Sequence, residues 1–299
     1  MSSIKVGKLL FTLPVNNKLG EGVQWHCESQ SIWWTDIENS MLFQYCVNSK
    51  KTLKFKMPHR VGSFAFIKND SRLLIAFDRG IALYDLSSQS LQWYAQPEKH
   101  LISNRFNDGR VDRQGRFWAG TMVEDEARQE KLGSLYVCEG QKITKKLSEI
   151  KISNSLCWSP NSLVMYHADS PSRNIYHYSF DPITGTISNK KLFARTKLGS
   201  LPDGATVDAI GGVWIAQWGG GSVIRYTPEG EVSLIHKLPV SQPTCIAIGG
   251  PNMDWLIVTS AKQSLCDEKI KSEPLAGYLF IYQLHGIKGI AEPVYKLVS

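Results

Sequence analysis

Six short aromatic or aliphatic runs recur along the chain: Ile32-Trp33-Trp34, Leu73-Leu74-Ile75, Phe117-Trp118-Ala119, Val164-Met165-Tyr166, Val213-Trp214-Ile215 and Trp255-Leu256-Ile257. Their first residues lie 41, 44, 47, 49 and 42 positions apart. Other apolar stretches flank each run, as Ala205-Thr206-Val207-Asp208 and Ser222-Val223-Ile224-Arg225-Tyr226 flank Val213. Each copy therefore reads as several short antiparallel strands joined by tight turns. A strand-built period of roughly 40 to 50 residues marks the blades of a propeller, none of which buries its faces until its neighbours stack on it. The expected fold is all-β, a six-bladed β-propeller forming a single domain over residues 1–299. The turns Asp112-Arg113-Gln114-Gly115, Asp208-Ala209-Ile210-Gly211 and Thr227-Pro228-Glu229-Gly230 agree, since each places Gly where positive φ is easily adopted. No stretch sustains a helical period. Residues 18–23 and 277–284 suggest that the chain ends meet, with an N-terminal strand closing the last blade.

When the repeats are superposed on their apolar runs, the residue ten or eleven positions upstream is Glu21, Ser63, Asn107, Asn154, Asp203 and Cys245 in order. Four of these six carry a side-chain carboxylate or amide oxygen. Equivalent positions at the start of each innermost strand form a ring around one mouth of the central channel, so the oxygens would converge there. Read singly, each is an ordinary turn former, because Asn-Asp-Gly and Pro-Asp-Gly are common turn chemistry. Independent turns, however, have no reason to fall at one slot. Buried like charges repel and raise each other's pKa, and a divalent cation removes that conflict. Oxygen-only donors suit Ca²⁺, Mg²⁺ or Mn²⁺, with Zn²⁺ also accommodated. Ser63 and Cys245 are expected to line the channel without binding an ion.

The net charge of +7 comes largely from Lys50-Lys51, residues 142–151 and Lys190-Lys191, which fall in separate repeats and carry no aromatic interleaving. They read as solvated surface, not as a nucleic-acid footprint. The start of the chain has no signal-peptide pattern, and no apolar run is long enough to span a bilayer, so a cytoplasmic, membrane-free protein is expected. The six cysteines are scattered singly with no CxxC pair, which predicts reduced packing residues instead of a zinc knot or disulfide framework. No G-x-S-x-G elbow, H-E-x-x-H helix or Walker loop is present, which argues against a serine hydrolase, a zincin and a P-loop enzyme.

The segments Leu19-Gly20-Glu21-Gly22-Val23-Gln24-Trp25, Asn104-Arg105-Phe106-Asn107-Asp108-Gly109-Arg110-Val111-Asp112, Gly120-Thr121-Met122, Gly133-Ser134-Leu135-Tyr136, Asn154-Ser155-Leu156-Cys157-Trp158-Ser159-Pro160 and Pro202-Asp203-Gly204 resemble, in order, the regucalcin (senescence marker protein), gluconolactonase and luciferin-regenerating enzyme family. The resemblance implies a propeller that binds one divalent cation and hydrolyses sugar lactones, with Glu21, Asn154 and Asp203 as metal ligands. By the same resemblance Arg105, Asn107 and Glu124 contact the substrate. Without it, Arg105 reads as a surface cation or channel-wall ion pair, and Glu124 as a solvated loop charge. Asp169 and Trp218 are expected to be structural, and His167 a half-buried packing residue. The pattern's usual Asn-Gly pair is Asn154-Ser155 here, which places an extra side chain beside the expected ion. Residues 123–132 are charge-rich and, as a lid, would bear on substrate choice.

Lactone opening needs water to attack an ester carbonyl while negative charge grows on the carbonyl oxygen. A cation at the channel mouth would stabilise that charge, and Asp203 is the expected general base. Coordination weakens a carboxylate as a base, so acidification of a bound water is the alternative. Two rivals remain: a metal-dependent phosphotriesterase, and a non-catalytic interaction propeller that needs no converging carboxylates. The sequence carries no signal for oligomeric state.

Overall fold

A computed structural model describes residues 3–125 and 132–297. Strands dominate it, and they form six four-stranded antiparallel sheets. The innermost strands are Gly20–His26, Val61–Ile67, Asn104–Val111, Ser153–Trp158, Leu201–Val207 and Pro243–Gly249, and successive ones pack side by side in a closed ring. This is a six-bladed β-propeller, with blades numbered here in chain order. Each recurrent apolar run lies in the second strand of its blade, for example Ser31–Asp36 in blade 1 and Val213–Trp218 in blade 5.

Every blade interface carries its own apolar cluster. Trp33, Phe64 and Ile75 join blades 1 and 2, Ala65, Phe106 and Phe117 join blades 2 and 3, and Trp214, Ile246 and Phe280 join blades 5 and 6. Trp34, Trp118 and Trp214 are fully buried, which explains the aromatic character of the repeats: a flat ring fills the gap between two twisted sheets. In blades 3 and 5 the turn aspartate is a structural staple. Asp112 accepts the indole Nε1 of Trp118 at 2.9 Å and Nε of Arg116 at 2.6 Å, and Asp208 accepts Trp214 Nε1 at 2.8 Å and Arg225 Nε at 2.7 Å.

The ring closes differently in detail from the sequence expectation. The strand that completes blade 6 is Lys5–Leu13, paired antiparallel with Leu279–His285, whereas residues 20–23 belong to the innermost strand of blade 1. This outer strand, part-exposed along most of its length, carries no copy of the repeat, so superposing the repeats passes over it. One short helix, Asp267–Ser272, interrupts blade 6. No helix among the described residues is long and apolar enough to cross a membrane.

Two features close the channel away from the slot end. Arg110 of blade 3 reaches across the axis, donating from Nη1 to the Val23 carbonyl of blade 1 at 2.9 Å and from Nη2 to the Ile246 carbonyl of blade 6 at 3.1 Å. The segment after blade 6 then runs beneath the ring. Its Glu292 lies 3.7 Å from Arg110 Nη1, and Tyr295 is fully buried, its hydroxyl donating to the Gly140 carbonyl at 2.6 Å.

Candidate metal centre

In all six blades the pairing of the first two strands breaks register at or beside the slot. The shifts lie between Glu21 and Gln24, Val61 and Ser63, Phe106 and Gly109, Asn154 and Cys157, Pro202 and Ala205, and Pro243 and Ile246. A β-bulge bends its strand and re-aims the side chain at the break. Here it turns slot residues away from the sheet face and toward the axis. Positive φ at Gly22 (58°) and Ser155 (59°) accompanies the bulge directly after Glu21 and Asn154. Gly204 meets a different demand: a Cβ there would sit 2.5 Å from the sulfur of Cys245, so only glycine lets blades 5 and 6 approach beside Asp203.

Glu21, Arg105, Asn107, Asn154 and Asp203 line one cleft of about 210 Å³. Leu19, Met122, Leu201 and Trp218 supply apolar wall. Five of the six predicted site residues thus come together. Glu124 does not line the cleft; its carboxylate takes a bidentate pair of 2.7 Å hydrogen bonds from Arg60 and one of 2.8 Å from Arg105 Nε. Burial opposes its ionisation, but the hydrogen bonds from Arg60 and the charge of Arg105 prevail and hold its pKa down. Arg105 is therefore a buried cleft residue held by an ion pair, as the channel-wall reading has it. Among the described residues its Nη2 has no hydrogen-bond partner in the protein, although the side chain faces the cleft.

A directed hydrogen-bond chain orients the amides. Arg105 Nη1 donates to Asn107 Oδ1 at 2.8 Å, Asn107 Nδ2 to Asn154 Oδ1 at 3.1 Å, Asn154 Nδ2 to Ser170 Oγ at 2.8 Å, and Ser170 Oγ to the Pro202 carbonyl at 2.7 Å. Arginine can only donate and a carbonyl can only accept, so the sense of every link between them is fixed. The order runs from blade 3 to blade 5.

Glu21 and Asp203 are both buried, and among the described residues neither forms an ion pair with Lys, Arg or His. Burial, then the charge of Asp108, push the Glu21 carboxyl up to about 8; burial and the Glu21 charge likewise push Asp203 well above the usual carboxylate range. Arg105 and Arg110 act on Glu21 without outweighing burial. No three His, Cys, Asp or Glu side chains converge among the described residues. The candidate donors are two carboxylates, Glu21 and Asp203, with the asparagine amide of Asn154. Two uncompensated buried carboxylates beside an oriented amide oxygen match the chemistry of a hard divalent cation.

Sequence reasoning passed over Ser170, Asp108 and Arg110. Ser170 lies outside the aligned slot and acts by orienting Asn154. Asp108 is buried beside Asn107, its Oδ2 accepting the Leu156 amide at 3.1 Å. Trp218, expected to be structural, also lines the cleft, while Asp169 caps the chain through the Lys151 and Ile152 amides. Ser63 and Cys245 are fully buried and stay out of the cleft. His167 is buried more deeply than expected, with Nε2 2.9 Å from Ser153 Oγ, and burial drives its pKa down to about 3. The six cysteines are free thiols, but only Cys138, Cys157 and Cys245 are buried. Residues 126–131 of the expected lid lie outside the described residues.

The chain matches a family model described as the SMP-30/Gluconolactonase/LRE-like region over residues 19–262. It is 32% identical over 280 residues to 6-deoxy-6-sulfogluconolactonase of Pseudomonas putida, covering 93% of this chain and 94% of that one. It is 33% identical over 280 residues to L-arabinolactonase of Azospirillum brasilense, covering 93% and 92% respectively. The fold superposes on regucalcin from Agrobacterium tumefaciens, described as a calcium-binding protein, with a TM-score of 0.89 and 33% identity over 97% of each chain.

Proposed function

The chain belongs to the SMP-30/gluconolactonase/LRE-like family, and from that premise we propose that it is a divalent-cation-dependent hydrolase that opens sugar lactones. The observation that carries the cation requirement is the pair of buried carboxylates, Glu21 and Asp203, left without a counter-charge beside Asn154 Oδ1. Relatives named as lactonases at 32–33% identity support the substrate class.

In this reading Glu21, Asn154 and Asp203 hold the ion. A bound divalent cation would polarise the lactone carbonyl, stabilise the charge that builds on its oxygen and keep both carboxylates ionised. Asp203 accepts a proton from the attacking water as its oxygen bonds to the carbonyl carbon. It returns that proton to the ring oxygen when the carbon–oxygen bond breaks. Arg105 is held by Glu124 and offers its unpartnered Nη2 to a sugar hydroxyl. Asn107 has both Nδ2 hydrogens committed, to the Ser153 carbonyl and to Asn154 Oδ1, so its part is to keep the Asn154 oxygen turned toward the ion. Trp218 and Met122 give the C–H face of the sugar an apolar wall.

The test is hydrolysis of a panel of aldonolactones by chelator-treated protein restored with Ca²⁺, Mg²⁺, Mn²⁺ or Zn²⁺ singly, with a phosphotriester as comparison substrate. Activity should return with at least one ion and favour the lactones. Full activity in the stripped protein would end the cation mechanism.

A further inference from the structure

Ser155 does not line the cleft and is completely buried, yet it follows Asn154 directly. Its φ of 59° is one that glycine adopts freely and serine adopts at a cost. At the same point of the blade 1 bulge the residue is Gly22, with φ 58°. Adding a Cβ at Gly22 would meet no atom closer than 3.7 Å, so it is the shared conformation, and not lack of space, that favours glycine at this point of the bulge. The strain at Ser155 has a visible counterpart. Its hydroxyl donates to the main-chain carbonyl of Asp203 at 2.5 Å, crossing from blade 4 to blade 5. The carbonyl on the other side of the Asp203 Cα, that of Pro202, accepts from Ser170 Oγ at 2.7 Å. Two blade 4 hydroxyls thus grip both peptide groups flanking Asp203, while Gly204 is pressed against Cys245 of blade 6.

We propose that Ser155 is a positioning residue that sets the spacing between the donor oxygens of Asn154 and Asp203, and so the affinity of the cation site. The inference rests on the reading of Glu21, Asn154 and Asp203 as ligands. Asn154 belongs to blade 4 and Asp203 to blade 5, and a site shared across a blade boundary is only as well defined as the contact between the two strands. The Ser155 hydroxyl is a direct tie between a ligand's neighbour and the other ligand's own peptide. Ligand geometry looser by a fraction of an ångström costs binding without costing the fold.

Two substitutions separate the hydroxyl from the backbone strain. Ser155→Ala keeps the strain and removes the hydroxyl; Ser155→Gly removes both. Calorimetric titration of each metal-stripped protein with Ca²⁺, Mg²⁺, Mn²⁺ and Zn²⁺ in turn, alongside thermal unfolding without metal, reads the two effects apart. Both variants should bind the preferred cation about fivefold more weakly, as expected for one lost hydrogen bond. Ser155→Ala should also lower the metal-free Tm, whereas Ser155→Gly holds it. Wild-type affinity in either variant overturns the proposal; if Ser155→Ala does not fold, Ser155→Gly alone decides. Glu21→Ala is the control. If it abolishes binding while the Ser155 variants bind normally, only the positioning role fails. If Glu21→Ala also binds normally, the ligand assignment itself falls and the positioning role with it.

Discussion

Asn107 presents Nδ2 to Oδ1 of Asn154 across the boundary between blades 3 and 4, at 3.1 Å, and cannot present its oxygen there because Arg105 holds that atom. The amide oxygen of Asn154 therefore has its orientation assigned by a residue 47 positions earlier in the chain. Asn107→Asp replaces the only donor in this link with a carboxylate. Lactone turnover should fall by about ten- to a hundredfold, the equivalent of about 1–3 kcal/mol for a broken buried hydrogen bond, with the circular dichroism spectrum unchanged. Unchanged turnover would remove Asn107 from the site.

Acidity should stabilise the protein when it is stripped of metal. Glu21 titrates near 4.5 in the unfolded chain but near 8 when folded, chiefly through burial, and Asp203 shifts the same way. Between about pH 4.5 and 8 the folded state therefore binds more protons than the unfolded one, so stability falls as pH rises across that window. Thermal unfolding of chelator-treated protein should give a Tm that declines from about pH 5.5 to 8, and Glu21→Gln should flatten the decline. With saturating cation the dependence should largely vanish. A metal-free Tm that climbs over this range would contradict the carboxylate environment described above.

Asp208 is fully buried and satisfies four donors, among them Trp214 Nε1 and Arg225 Nε. Asp208→Ala leaves the Arg225 guanidinium buried without its partner and should cost about 3–5 kcal/mol, lowering Tm by about 10 °C. It stands at the far end of the innermost strand from Asp203, so lactone turnover measured well below the new Tm should persist. Loss of turnover in the folded variant would mean that the staple reaches the cleft.

Glu124 is held by Arg60 and Arg105 without lining the cleft, so its effect on substrate should pass through Arg105. Glu124→Gln weakens a charge-assisted contact and should raise KM about tenfold while leaving cation affinity unchanged. A fall in cation affinity of similar size would place Glu124 at the ion instead.

The propeller was readable because strand pairing and burial repeat at one period, and because tryptophans filling equivalent gaps between blades mark that period strongly. The slot was readable for the same reason: Glu21, Asn107, Asn154 and Asp203 hold one position relative to the second strand, and the bulge recurs with them. What escaped the sequence lies outside the repeat or reverses a residue's usual role. An N-terminal strand closing the last blade is expected from the sequence, but Lys5–Leu13 carries no copy of the repeat, so its bounds were not legible. Arg110 has the composition of a surface cation but spans the channel, bonded to carbonyls on two other blades. Tyr295 is a core residue contributed by a segment that belongs to no blade. Ser155 showed in the sequence as an extra side chain beside the expected ion, whereas its hydroxyl faces a peptide of the next blade.

Blade 6 joins the strand Lys5–Leu13 to three strands made more than 200 residues later. During synthesis that early strand has no sheet to enter until His285 has left the ribosome, and the apolar cluster of Leu13, Val23, Ala247 and Ile281 stays open to water meanwhile. Until the early strand and the three later ones meet, a ring of five blades leaves apolar surface uncovered, which is the kind of exposure that favours aggregation.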